Sequence, residues 1–153
     1  MVLKISQLLK TKAIIMDIDA REKIAAIKEM VDYLVAKKLV NDGETFLNAL
    51  AKRENLESTG IGDGIAIPHA RTNAVQGVLL AFARSQGGVD FSAIDGKPSH
   101  LIFLIASPED KKSEYIMALA QISRLLRRQH VRSLLKQARN AQEVLDIIKS
   151  NEE

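Results

Sequence analysis

The stretch Glu57–Arg71, ESTGIGDGIAIPHAR, sets one of only three histidines directly after a proline, at the end of an apolar run entered through Gly60, Gly62 and Gly64. A neutral imidazole can exchange a proton, ligate a metal or attack a phosphoryl group. The glycines invite a nucleotide reading, which fails on spacing. A dinucleotide fingerprint needs glycines at its first, third and sixth positions, and the sixth position from Gly60 is Ile65. Gly-Lys-Ser and Gly-Lys-Thr are absent, which removes a P-loop; Gly-x-Ser-x-Gly and His-Glu-x-x-His are absent too. With no cysteine and three scattered histidines, no metal site is expected. Two readings of His69 stay open: a lone nucleophile forming a phosphoramidate, or a structural histidine. His100 begins an apolar strand and His130 lies in a basic helical stretch, so both are read as structural.

Pro68 shapes the setting of His69. Proline disfavours the helical region for Ile67, so the run IAI is expected to stay extended up to the histidine. Proline also lacks a backbone donor, so the chain is expected to leave the sheet there. His69 would then project from a strand end beside a glycine-rich loop. Phosphoryl transfer needs donors for the moving oxygens; Ser58, Thr59, the loop amides about Gly60 and an arginine are the candidates.

The elements that must hold these residues follow from periodicity. Asp19 and Glu22 have capping-box spacing and open a helix running to about Lys38, with Ile24, Ile27, Met30, Val31 and Leu34 forming its apolar stripe. A second helix is expected from about Glu44 to Glu54, started near Asn41 and Asp42. The period then shortens: IAIPH, GVLLAFAR and HLIFLIAS read as strands buried on both faces, with AIIM (13–16) a fourth. AIDGKP reads as a turn. The helical period returns after Pro108, with Ile116, Leu119, Ile122 and Leu126 on one face, and a last helix starts at Asn140, three residues before Glu143. The expected fold is α/β, a central mixed β-sheet flanked by helices on both faces, in a single domain over 1–153.

Composition sets the outer bounds. At 46% hydrophobic and 27% charged residues, the 153-residue chain reads as an ordinary globular domain able to bury a substantial core. No apolar run reaches the roughly 20 residues that span a bilayer, and MVLKISQLLKTK is too polar for a secretory signal, so a cytoplasmic location without membrane insertion is expected. Between Lys111 and Arg139 eight Lys and Arg residues face a single acid, Glu114. That segment is read as the solvated face of amphipathic helices. Nucleic-acid binding is the weaker alternative, since aromatics are only 4% of the chain.

The motif RENLESTGIGDGIAIPHAR resembles the active-site signature of enzyme IIA domains of the mannitol/fructose class of the bacterial sugar phosphotransferase system, a class that includes a nitrogen-related regulatory branch. GVDFSAIDGKPSHLIFLIASPED and LAQISRLLR resemble the following blocks, so the likeness covers nearly the whole chain. It implies that His69 accepts a phosphoryl group, with Nε2 favoured, from the small carrier HPr or its nitrogen-branch relative. His69 would pass it on, usually to a cysteine of an enzyme IIB carried on another chain. Arg53 matches the family's arginine near the phosphohistidine, and Ser58, Thr59 and Gly60 match positions near the phosphate. No metal, nucleotide or other cofactor is implied. The family often carries a second histidine at the start of the helix after SPED; Tyr115 stands there, either orienting His69 and touching phosphate or packing at the edge of the site. Two roles follow: a phosphocarrier in sugar uptake, or a regulatory module whose phosphorylation state controls binding to a transporter or kinase.

Overall fold

The computed structural model describes residues 3–152. Six strands form one mixed sheet: β1 (Leu9–Ile15), β2 (Gly60–Gly62), β3 (Ile65–Ala66), β4 (His69–Arg71), β5 (Leu79–Val89) and β6 (Ser99–Ser107). Their order is β1-β5-β6-β3-β2, with β4 also pairing along β6. β5 and β6 are antiparallel, while β1 lies parallel to β5 and both β3 and β4 lie parallel to β6. The central strand β6 is apolar without interruption from Leu101 to Ala106 because both of its faces are covered. Helices α2 (Lys23–Ala36) and α3 (Gly43–Leu56) pack together as one layer. The other layer joins α1 (Ile5–Leu8), α4 (Lys112–Leu126), α5 (Gln129–Gln137) and α6 (Ala141–Asn151). The expected α/β sheet between two helical layers is the observed architecture.

Several local expectations hold. Asp42 caps α3 by accepting from Thr45 N–H at 3.1 Å, and Asn140 caps α6 by accepting from Glu143 N–H at 2.9 Å. Only half of the second box closes, since the Glu143 carboxylate turns to Arg139 instead. AIDGKP is a turn closed by Gly96 N–H to Ala93 C=O at 3.0 Å, with Gly96 at φ +72°.

Four expectations change. Asp19 does not cap the first long helix. Glu22 does, accepting from Ile24 and Ala25 N–H, because a parallel bridge between Glu22 and Asp90 holds the chain extended up to that point. AIIM falls at the end of β1, which starts earlier, at Leu9, and stops at Ile15; GVLLAFAR falls at the start of β5, which begins at Leu79 and runs on to Val89. On α4 the buried stripe is Tyr115, Ala118, Ile122, Leu125 and Leu126, and Ile116 is half exposed. The helix is turned relative to the expected stripe because it buries an aromatic and an alanine rather than the larger aliphatic at 116. Finally, the chain does not leave the sheet at Pro68. IAIPH divides into β3 and β4, both along β6, and the Pro68 carbonyl accepts from Ile105 N–H at 3.0 Å. Proline lacks a donor, but its acceptor keeps the strand in place.

Of the basic residues between Lys111 and Arg139, Arg132 donates to the Leu126 and Arg127 carbonyls, Arg128 to Asn151 C=O, and Arg139 pairs with Glu143. Arg84, from β5, donates from Nε to Met16 C=O and from Nη1 to the Leu135, Lys136 and Ala138 carbonyls, binding the C-terminal end of α5 to the sheet. The guanidiniums of Arg84, Arg128 and Arg132 satisfy carbonyls that helix ends leave without partners.

Phe103 on β6 and Phe82 on β5 are fully buried, with ring centroids 4.9 Å apart. Phe103→Ala is expected to cost about 3–5 kcal/mol through lost burial and the cavity left behind, measured as a lower denaturation midpoint with an unchanged slope.

Candidate functional site

The site lies where β4 runs beside the C-terminal half of β6, with His69 paired to Ile105 and Arg71 to Ser107. Strand alternation puts His69 and Arg71 on one face of β4 and buries Ala70 on the other. The His69 ring is fixed from behind. Its Nδ1 lies 2.7 Å from Ile67 C=O, the carbonyl just before the proline, so the neutral ring donates from Nδ1 and keeps its lone pair on Nε2. Burial, the larger cause, and the Arg53 charge push the His69 pKa below its ordinary value of 6.5, against the Ile67 hydrogen bond and the Glu54 charge. The half-buried imidazole is therefore neutral at neutral pH.

A hydrogen-bond chain leads from the His69 ring back to the last turn of α3. Ile67 N–H donates to Thr59 C=O at 3.0 Å. Thr59 in turn donates from its amide at 2.8 Å and its hydroxyl at 2.6 Å to the carboxylate of Glu54, which is 1% exposed. Arg53, next in sequence, donates to Glu57 C=O at 2.8 Å. Two neighbouring side chains of α3 thus pin the loop that leads into β2 and β3.

The expected phosphate donors of this loop already have partners. Both Thr59 donors go to Glu54, the Ser58 hydroxyl donates to Phe91 C=O, and Gly60 N–H donates to the Ser58 oxygen at 3.0 Å. For Ser58, Thr59 or Gly60 to meet a phosphoryl oxygen, one of these bonds must exchange. Gly60 is needed for a different reason: a Cβ there would stand 2.9 Å from Phe91 Cβ and 3.1 Å from Ala93.

Beyond His69, a cleft of about 620 Å³ is lined by Lys52, Arg53, Leu56, Arg71, Glu109 and Tyr115, among others. Tyr115 is 8% exposed, and its ring centroid lies 6.0 Å from that of His69 at a 53° tilt. Burial pushes its pKa up to about 12, against the lowering charges of Arg53 and Arg71, so it remains a neutral phenol. The structure therefore gathers His69, Arg53 and Tyr115 and adds two residues that the sequence reading did not name. Arg71 had a usable signal in its two-residue spacing from His69 on a strand. Glu54 had none, because its role depends on being buried against Thr59. The described residues contain no cluster of three or more His, Asp or Glu side chains able to hold a metal, and no helix among them is long and apolar enough to cross a membrane.

Comparison with known proteins fits this arrangement. Residues 7–151 match the family described as "Phosphoenolpyruvate-dependent sugar phosphotransferase system, EIIA 2". The chain is 40% identical over 150 residues to the fructose-specific EIIABC component of Bacillus subtilis, covering 98% of this chain but only 24% of that longer protein. It is 40% identical over 126 residues to the fructose-specific EIIA component of Haloferax volcanii, covering 82% of each. Among solved structures, the nitrogen regulatory protein IIA-Ntr of Neisseria meningitidis superposes with a TM-score of 0.87 at 31% identity, covering 94% of this chain and 98% of that one.

Two measurements check the geometry. The His69 ring protons should titrate with a midpoint below 6.5 by NMR, and Arg53→Gln should raise that midpoint without restoring 6.5, because a repelling charge is gone while burial remains. Thr59→Val keeps the shape but leaves a Glu54 oxygen buried without its hydroxyl donor; a loss of about 2 kcal/mol is expected in chemical denaturation. The chain belongs to the EIIA type 2 family of the phosphoenolpyruvate-dependent sugar phosphotransferase system.

Proposed function

We propose that this protein is a phosphocarrier whose acceptor is Nε2 of His69. The observation that carries the reading is the 2.7 Å contact between His69 Nδ1 and Ile67 C=O, which leaves the Nε2 lone pair as the ring's nucleophile. The donor is the phosphohistidine of HPr or its nitrogen-branch relative. Nε2 attacks phosphorus and a new P–N bond forms as the donor's P–N bond breaks; the donor ring, protonated on its other nitrogen, keeps the bond's electron pair and leaves as a neutral imidazole. As charge gathers on the His69 ring, the Nδ1–H bond to Ile67 strengthens. Arg53 and Arg71 offer forked donors to the three phosphoryl oxygens. Tyr115, where many relatives have a histidine, offers one neutral O–H donor and cannot supply an imidazolium's charge. The onward acceptor is a cysteine of an enzyme IIB of the fructose or mannitol type.

A second reading is regulatory, with phosphorylation of His69 controlling contact with a transporter or kinase. It draws support from the likeness to the Neisseria IIA-Ntr protein and from the apolar Leu56, which is 78% exposed on the wall of the same cleft. A phosphoryl group there would add about −1.5 to −2 charge to a face that now presents Lys52, Arg53 and Arg71. Both readings require the same first step.

The test supplies phosphoenolpyruvate, enzyme I and HPr, or the nitrogen-branch carriers, to the wild type and to His69→Ala. Acid-labile phosphate is expected on the wild type and none on His69→Ala. Tyr115→Phe should slow acceptance by no more than about tenfold, the worth of one hydrogen bond. Adding candidate enzyme IIB proteins then separates the roles: loss of label to a IIB supports transport, and retention with a change in partner binding supports regulation. An unlabelled wild type with both carrier sets rejects the phosphocarrier reading.

A further inference from the structure

At the opposite end of β6 from His69 lies a second cleft, of about 410 Å³, within the range of about 300–1,000 Å³ of small-molecule pockets. Its walls come from three places that Arg84 ties together: the segment just after β1 (Met16, Asp17), the middle of β5 (Arg84, Gln86) and the C-terminal end of α5 (Lys136), with His100 also lining it. His100 and Ile105, the partner of His69, stand five residues apart on β6, a span of roughly 16 Å at about 3.3 Å per residue. The cleft is thus distinct from the phosphoryl-acceptor site.

Its polar groups are oriented and incompletely used. His100 Nδ1 lies 2.8 Å from Ser85 C=O, so the neutral ring donates there and keeps an acceptor on Nε2. Asp17 accepts from Gln86 N–H through Oδ1 at 2.9 Å, and Oδ2 has no protein partner among the described residues. Arg84 spends Nε and Nη1 on carbonyls and leaves Nη2 without a protein partner among them; Lys136 Nζ likewise has none. Lys136 Nζ and His100 Cδ2 both come 3.8 Å from where a Cβ on Gly64 would stand, so the ammonium and the imidazole occupy one corner. The inventory is two cations and two acceptors, with Arg84 held rigidly by four hydrogen bonds.

We propose that this cleft binds a small polyhydroxylated oxyanion, a sugar phosphate or a sugar acid. Lys136 and Arg84 hold the phosphate or carboxylate, and Asp17 Oδ2 and His100 Nε2 accept from hydroxyls. Inorganic phosphate would bring only its P–OH groups, held next to the charge the cations bind, to meet Asp17 and His100, and an uncharged sugar would leave both cations unmatched. A ligand with both features meets all four groups.

The experiment is a titration of the ¹⁵N-labelled, unphosphorylated full chain followed by amide shifts. The probes are glucose 6-phosphate, gluconate, glucose and inorganic phosphate. Saturable shifts at Gly64, Ser85, Gln86, His100 and Lys136 are expected with glucose 6-phosphate or gluconate, and the stronger of these two probes identifies the oxyanion. Inorganic phosphate and glucose should each bind at this cleft at least about tenfold more weakly. Lys136→Ala should weaken binding by about fivefold or more, while Lys28→Ala, on α2, leaves it unchanged. The proposal is overturned if neither hydroxylated anion shifts these amides, if the shifts map only to the surface of Arg53, His69 and Arg71, or if Lys136→Ala binds as the wild type does. Because the readout needs no phosphoryl transfer, failure here leaves the role of His69 untouched, and the converse holds.

Discussion

A buried carboxylate with no cation bonded to it among the described residues organises one end of this protein's sheet. Glu54 is almost wholly enclosed and accepts from the amide and the hydroxyl of a single residue, Thr59. Burying a carboxylate is costly unless its oxygens are hydrogen-bonded, so Thr59 cannot drift from the last turn of α3. Once Thr59 is fixed, its carbonyl holds Ile67, and the Ile67 carbonyl holds the His69 ring. The proposed role of His69 as nucleophile requires a ring held close to its productive orientation, and the orientation of this ring is inherited from a helix two steps away.

Pro68 makes the chain of contacts possible. A residue with a backbone N–H at that position could extend β3 into β4 without interruption. Proline forces a break in pairing, yet its carbonyl still accepts from Ile105, so the strand resumes at once as β4. The break leaves Ile67 C=O directed at the His69 ring. Pairing of His69 with Ile105 anchors the histidine backbone to the most deeply buried strand of the sheet, so His69 stands on a rigid element although it follows a glycine-rich loop.

Charge is distributed with the same economy. Arg84, Arg128 and Arg132 satisfy carbonyls at helix ends, so two of the basic residues of the α4–α5 region, and Arg84 of β5, serve as structural devices. Arg53 and Arg71 are different, since both act on the residues around His69: their fields lower the pKa of Tyr115 against burial, and Arg53 favours neutral His69. Arg53 thus adds to burial, the larger cause, in keeping the resting imidazole unprotonated, and under the proposed function both cations would meet the charge of a phosphoryl group. The family signature and the geometry thus converge on one face of the molecule.

The sequence by itself determined what depends on near neighbours. The caps at Asp42 and Asn140, the Ala93–Gly96 turn, the apolar strands and the singling out of His69 follow from dihedral preference, side-chain reach and period, which act over a few residues. The likeness of RENLESTGIGDGIAIPHAR to a known signature added Arg53 and the chemistry. What only the tertiary structure decided lies in contacts between distant segments. The bridge of Glu22 to Asp90 moved a helix start, and the packing of α4 on the sheet chose Tyr115 and Ala118 over Ile116. Burial gave Glu54 its role and consumed the donors of Ser58 and Thr59. The carbonyl of Ile67 selected which nitrogen of His69 is free, since a tautomer is set by what the ring touches, and nothing in the order of residues states that.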